Sequence, residues 1–353
     1  NGHIEIVKLL LNDQRVDINK ATNDGVTPFF IACENRKLKI AKLLLNDQRV
    51  DINQPKTGDG QMPFLVEWKK KHIEIVKLLL TDKGNHDRTP FWIACQKGHI
   101  GIVKLLLNDV GVEVNKPNKY GWTPLYIACG NGHIEIVKLL LNDQRVDVNQ
   151  SDKYGQTPFY NTCEKGHVEI VKLLLNDQRI DINKGKYDDE TPFFIACWKG
   201  HIEIVELLLN DQRIDVNQAN NDGKTPFWIT CGNGHTEIVK LLLNDNRVDI
   251  NKARTDGATP FSFACRNGQI EIVQYMFASG RDVDMMNKEN GKSTIDIARK
   301  SQKNCQEESQ KGKYAKIIEL MESFQQNPNG TRSKLREHLL VGKFIFFSTK
   351  SSI

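Results

Sequence analysis

Between Thr123 and Asn149 the apolar residues form two runs of different character. The first, Leu125, Ile127, Ala128 and Cys129, follows Thr123 and Pro124. Threonine is a favoured helix N-cap, and proline suits the first helical position, where a missing N–H costs nothing, so a helix of about two turns starts here. Gly130, Asn131 and Gly132 end it with residues that tolerate a left-handed backbone. The second run, Ile134, Ile136, Val137, Leu139, Leu140 and Leu141, opens after His133 and carries Glu135, Lys138 and Asn142 on one stripe. That spacing predicts a second helix buried over most of its surface and wet only along the polar stripe. NDQRVDVNQSDKYGQ then has turn formers and no helical period, so it predicts a loop ending in a projecting turn.

The stretch recurs. Thr–Pro or a degraded equivalent stands at Thr27, Met62, Thr89, Thr123, Thr157, Thr191, Thr225, Thr259 and Ser293, and the steps from Thr123 to Thr259 are each 34 residues. A fixed period of this size means stacked supersecondary units, so 353 residues do not imply two or three separate cores. The chain opens on NGHIEIVKLLLN, the second half of a unit, without an initiator Met, as expected of a fragment of a longer protein. It has no signal-peptide pattern and no apolar run of membrane-spanning length.

The unit, with the words TP-x-x-x-A, NGH, EIVKLLL and DVN, resembles the ankyrin repeat, in tandem over about residues 1–298. The resemblance implies an all-α solenoid of stacked helix-turn-helix units with short projecting turns. It also implies a concave face, lined by those turns and the first helices, that binds other proteins. On this reading residues 1–19 are the second half of a truncated repeat, 20–287 a tandem array, 288–325 a degenerate capping repeat and 326–353 a tail. The family's TPLH histidine is replaced by Phe30, Leu65, Trp92, Tyr126, Tyr160, Phe194, Trp228 and Ser262. A ladder of mostly aromatic rings is expected to replace its hydrogen bonds by packing. The loop after LLL lacks the family's helix-ending Gly and holds one residue more, which accounts for the period.

Two regions break the pattern. At 55–90, Met62 replaces Thr, Glu67 and Trp68 occupy the small Ala and Cys positions, and the connection TDKGNHDR is short, so a kink or weak point is expected. In the cap, 299–313 reads as a polar insertion between Ile295, Ile297, Ala298 and a helix through Ile317, Ile318, Leu320, Met321 and Phe324. Beyond it, Asn327–Pro328–Asn329–Gly330 breaks the helix and Thr331 is placed to cap a short basic one.

Charge and candidate chemistry change the picture little. The 49 basic and 44 acidic residues recur at repeat positions and form no basic block, which gives nucleic acid no priority as a partner. Seven of the eight cysteines share one repeat position. Stacked helices lie roughly 8–10 Å apart, beyond the reach of a disulfide at about 7 Å, so buried, reduced thiols and a cytoplasmic or nuclear location are expected. Cys-x-x-x-His recurs at Cys95/His99, Cys129/His133, Cys163/His167, Cys197/His201 and Cys231/His235, but successive pairs are a repeat apart, too far to share one zinc ion. Glu135 and Lys138 form a surface pair, and no phosphate loop or unique nucleophile set stands outside the repeats. No catalytic, cofactor or metal residue is therefore assigned. The resemblance also raises hydroxylation at Asn115, Asn149, Asn183 and Asn217, positions where Asn ordinarily serves the turn.

Helix two hardly varies between copies, so it serves stacking and distinguishes no partner. Variation concentrates in the turns and at the ends of the first helices, where Tyr120, Trp122, Lys153, Tyr154, Lys186, Tyr187, Trp198, Arg254 and Arg266 are residue types enriched in binding hot spots. The expected function is a non-catalytic scaffold or adaptor binding another protein. The alternative is the substrate-recognition part of an enzyme or ubiquitin-ligase subunit whose effector domain lies outside this chain.

Overall fold

The computed structural model describes residues 3–23, 26–34, 40, 43–44, 47, 49–50, 88–108, 111–285 and 288–341. They fall in two compact units, 1–153 and 154–353. The irregularity expected at 55–90 lies almost wholly outside the described residues, as does the terminal KFIFFSTKSSI.

The helix pairs form where the sequence places them. In the first unit Pro90–Lys97 is followed by Ile100–Leu107, and Pro124–Gly130 by Ile134–Leu141. In the second, Pro158–Lys165, Pro192–Lys199, Pro226–Asn233 and Pro260–Arg266 pair with Val168–Leu175, Ile202–Leu209, Thr236–Asn244 and Ile270–Ala278. Each first helix begins at its threonine: Thr123 Oγ1 accepts the Tyr126 N–H at 3.0 Å, and Thr191 Oγ1 that of Phe194 at 3.1 Å. Proline fills N1 and a left-handed glycine such as Gly166 or Gly200 terminates the helix.

Burial is divided unequally. Residues Pro192 to Cys197 of one first helix are all buried, whereas the following helix buries only Ile204, Val205 and Leu208. First helices pack on one another from Pro158–Lys165 through Pro260–Arg266 and form the inner layer. The second helices lie outside them, so their buried stripe is narrower than the sequence predicts, and Ile202 is 42% exposed. The aromatic positions are buried: Trp92, Tyr160, Phe194 and Trp228 are each at most 2% exposed. They do more than pack. Trp92 Nε1 donates to Trp122 O at 2.7 Å and Trp228 Nε1 to Ala258 O at 2.9 Å, so each indole keeps a donor aimed at the repeat ahead.

Further hydrogen bonds join neighbouring repeats. His201 Nε2 lies 3.0 Å from Glu164 O, and because a carbonyl only accepts, that nitrogen carries the proton. The ring lies against Gly166, where an added Cβ would come within 2.9 Å of it, so this glycine is favoured by contact as well as by its φ of 79°. Arg213, held by Asp211 at 2.6 Å, donates to Leu175 O at 2.8 Å, covering a carbonyl that the helix end leaves without an intrahelical partner. Asn183 donates through Nδ2 to Arg213 O at 2.7 Å and accepts the Asp215 N–H at 3.0 Å. The DVN asparagine is thus a two-way latch between loops.

The cap differs from the expected loop insertion. Ser293 caps a helix that runs Thr294–Asn304, and a second spans Glu308–Gln326, so residues 299–313 lengthen both helices around a short turn. A two-residue antiparallel pair, Lys288–Glu289 with Lys292–Ser293, precedes them. The last helix among the described residues is Pro328–Val341, and Asn327 rather than Thr331 caps it: Asn327 Oδ1 accepts the Gly330 N–H at 3.0 Å. Thr331 is buried against Ser323 because it lies inside this helix, on the side that packs. Arg332 donates to Phe277 O and Arg336 to Ala278 O. Phe277 is equivalent to Leu175 and Leu209, so Arg332 covers the carbonyl that the next repeat's arginine covers elsewhere, and the helix occupies the place of a further unit.

Candidate interaction surface

The projecting turns at 118–122, 186–190, 220–224 and 254–258 are narrow hairpins closed by their own backbone, as where Asn220 N–H donates to Lys224 O at 3.0 Å and Gly223 takes a φ of 83°. Successive turns are tied tip to tip. Within the second unit Tyr187 N–H reaches Tyr154 O at 3.2 Å, Asn221 N–H reaches Asp188 O at 3.0 Å, and Thr255 N–H reaches Asp222 O at 3.2 Å. In the first unit Lys153 N–H reaches Tyr120 O at 3.1 Å. Within each unit the side chains on these tips therefore stand on a fixed ladder. A Cβ on Gly155 would meet Tyr187 N at 2.9 Å and Tyr187 Cδ1 at 3.0 Å, so Tyr187 lies directly against the preceding turn.

The residues proposed from sequence divide into two groups. Tyr154 and Tyr187 are 63% and 75% exposed, Tyr120 and Trp198 are each 40% exposed, and Lys153 is exposed. Trp198 ends its first helix, with its ring edge-on to Phe194 at 6.3 Å and Lys199 Nζ 5.5 Å above it. The others are engaged within the fold. Trp122 stacks on Tyr126 and donates through Nε1 to Asp152 at 3.2 Å. Lys186 meets Glu190 at 2.8 Å and Asp188 at 3.3 Å; burial opposes its charge, but these carboxylates outweigh it and hold the ammonium above its usual range. Arg254 is clamped by Asp256 and lies 5.8 Å from the Trp228 ring centroid, while Arg266 pairs with Glu289. The acidic run 188–190 is likewise divided: Asp189 is exposed, whereas Glu190 is only 7% exposed.

The Cys-x-x-x-His pairs do not converge. Burial pushes the Cys197 thiol up to about 12, against a weaker opposing hydrogen bond with Thr230, while His201 is bound to Glu164 O. Among the described residues no three His, Cys, Asp or Glu side chains gather as a metal site, and no helix is long and apolar enough to cross a membrane.

A family model described as ankyrin repeats in three copies matches residues 1–56, 65–152, 144–220 and 213–287. The chain belongs to the ankyrin repeat family. Among solved structures, it is similar to the ankyrin repeat domain of Bcl-3, titled a unique member of the IkappaB protein family, at a TM-score of 0.54 and 24% identity. That match covers 60% of this chain and 93% of the other, and at this identity it speaks for the fold alone. A search of curated protein sequences returns no match. Ankyrin repeats are generally protein-interaction modules and typically non-catalytic.

Proposed function

We propose that this ankyrin repeat protein is a non-catalytic scaffold or adaptor that binds a partner protein through its projecting turns and the ends of its first helices. The observation that carries this reading is the pair Tyr154 and Tyr187. Large aromatic side chains are ordinarily buried, yet these two stand exposed on adjoining tips joined by a backbone hydrogen bond. Such rigid aromatics supply binding area at little entropic cost, and their backbone is already fixed before a partner arrives. The buried cysteines of the inner layer, which form no disulfide among the described residues, support a reducing compartment, cytoplasmic or nuclear, as part of the same reading.

The test is a Tyr154→Ala/Tyr187→Ala variant compared with the parent chain in quantitative affinity capture. Neither ring lies in the inner layer, so helix content and melting temperature should hold while the parent's specific partners are lost. Trp122→Ala is unsuitable for this purpose, because the indole holds Asp152 and stacks on Tyr126. Unchanged capture of every partner by the double-tyrosine variant would refute the reading.

A further inference from the structure

Five Asn–Gly pairs occur among the described residues, at 131–132, 233–234, 267–268, 290–291 and 329–330. Glycine after asparagine is the least hindered setting for one reaction, in which the following main-chain nitrogen attacks the side-chain amide carbon. The fold withholds that reaction at four of the five. Gly132 N–H donates to Cys129 O at 3.1 Å, Gly268 N–H to Cys265 O at 3.3 Å and Gly234 N–H to Thr230 O. The asparagines are held as well. Asn131 donates through Nδ2 to Gln96 O at 2.9 Å, Asn233 to Trp198 O at 3.3 Å and Asn267 to Gly232 O at 2.8 Å. Asn329 and Gly330 lie within Pro328–Val341, where the Gly330 N–H is taken by Asn327 Oδ1 at 3.0 Å.

Asn290–Gly291 is different. It forms the tip of the antiparallel pair in which Lys288 faces Ser293 and Glu289 faces Lys292. Asn290 takes a φ of 49° and Gly291 a φ of 79°, both left-handed, as the tight mirror-image hairpin turn requires. Both residues are exposed, and among the described residues neither the Asn290 side-chain amide nor the Gly291 N–H has a hydrogen-bond partner. A Cβ on Gly291 would meet nothing within 4 Å, so this peptide has room to turn toward the side chain. Only the short ladder restrains it, and an isolated pair of this kind opens locally at little cost.

We propose that Asn290 is a site of spontaneous deamidation through a cyclic imide. Gly291 N loses its proton to solvent base and bonds to Asn290 Cγ. The Cγ–Nδ2 bond breaks, and ammonia leaves with a proton returned from solvent. Water then opens the ring at either carbonyl and gives aspartate or isoaspartate, with nothing oxidised or reduced. Aspartate brings a carboxylate to the tip, two residues from the exposed Lys292. Isoaspartate routes the main chain through the side-chain carbon and lengthens the turn, which works against the register of the pair and against the tie from Asn290 N–H to Asp256 O at 3.4 Å. The modification thus loosens the last tip from the turn before it. The assignment is independent of the protein-binding reading above.

The experiment ages the full chain in mildly basic buffer, once folded and once in urea. Each Asn–Gly peptide is followed by mass spectrometry with fragmentation that separates aspartate from isoaspartate. One net hydrogen bond shifts an opening equilibrium about fivefold, so in the folded chain Asn290 should react at least about fivefold faster than the other four. In urea the five should react at comparable rates, because the residue that follows is the same in each. Asn290→Gln keeps an amide but needs a larger ring, and the product at this position should vanish. Hydrogen exchange at 288–293 should be faster in the isoaspartate form than in fresh protein. Deamidation of Asn290 no faster than that of the helix-end pairs, a lead that persists unchanged in urea, or equal ammonia loss at this position in Asn290→Gln would overturn the assignment. Unchanged exchange at 288–293 would overturn its stated effect on the tip.

Discussion

Gly232→Ala should destabilise the third pair of the second unit, although alanine is the better helix former. Gly232 lies within Pro226–Asn233, and an added Cβ there would fall on the ring of Phe263. That ring stacks on Trp228 at a centroid distance of 3.8 Å and an angle of 11°. Alanine gains about 1 kcal/mol in helix propensity. Against this stand about 1–3 kcal/mol of overpacking and about 0.5–1.5 kcal/mol from the lost ring pair. The net is a loss of about 0.5–3.5 kcal/mol. Isoleucine occupies the Phe263 position in the equivalent Ile195, Ile229 and Ile297. In a Phe263→Ile background the clash is gone, and Gly232→Ala should then stabilise by about 1 kcal/mol. A long repeat array need not unfold in one step, so the suitable assay is hydrogen exchange of the amides from Trp228 to Leu243 in all four proteins of the double-mutant cycle. Equal effects of Gly232→Ala in both backgrounds, or a rise in protection when Gly232→Ala is made with Phe263 in place, would refute the packing argument.

Asp189 adopts a φ of 60° where the equivalent turns carry Gly155, Gly223 and Gly257, so Asp189→Gly should raise stability by about 0.5–1 kcal/mol in thermal melts. The side-chain hydrogen bond from Arg213 holds Asp211 below the usual carboxylate range, and Arg179 does the same for Asp177. A depressed native pKa contributes stability that is complete above the unfolded value of about 3.9 and disappears as pH falls through the native one. Unfolding free energy measured against pH should therefore be level from about pH 7 to 5 and fall below about pH 4, less steeply in Asp211→Asn. Iodoacetamide at pH 8 should label the half-exposed Cys305 well before Cys197, which is buried and held as the thiol, as read by peptide mass spectrometry.

What the sequence revealed was whatever each repeat does for itself. Thr123 and Pro124 start a helix by local chemistry, so they could be read from one copy, as could the inward cysteine. Contacts between copies were harder to see. His201 and Gly166 belong to one junction although 35 residues separate them, and only their joint recurrence along the chain signals it. The Asp211–Arg213 wedge and the Asn183 latch lie in segments that read simply as loop. Among the candidate binding residues, hot-spot composition did not distinguish Tyr187 from Arg254. A partner two residues away, Asp256, withdraws Arg254 from solvent, and Trp122 is withdrawn by Asp152 in the next turn. The cap misled because polar residues suit the exposed side of a longer helix as well as a loop. The burial of Thr331 depends on packing that its local sequence does not encode.

The claim that the turns, and not the repeated outer helices, meet the partner is tested most directly by site-specific photocrosslinking. A benzophenone amino acid placed at Tyr187 should capture partner protein, and one placed at Lys172, on the outer face of a second helix, should capture none. Capture from Lys172 with none from Tyr187 would contradict the account.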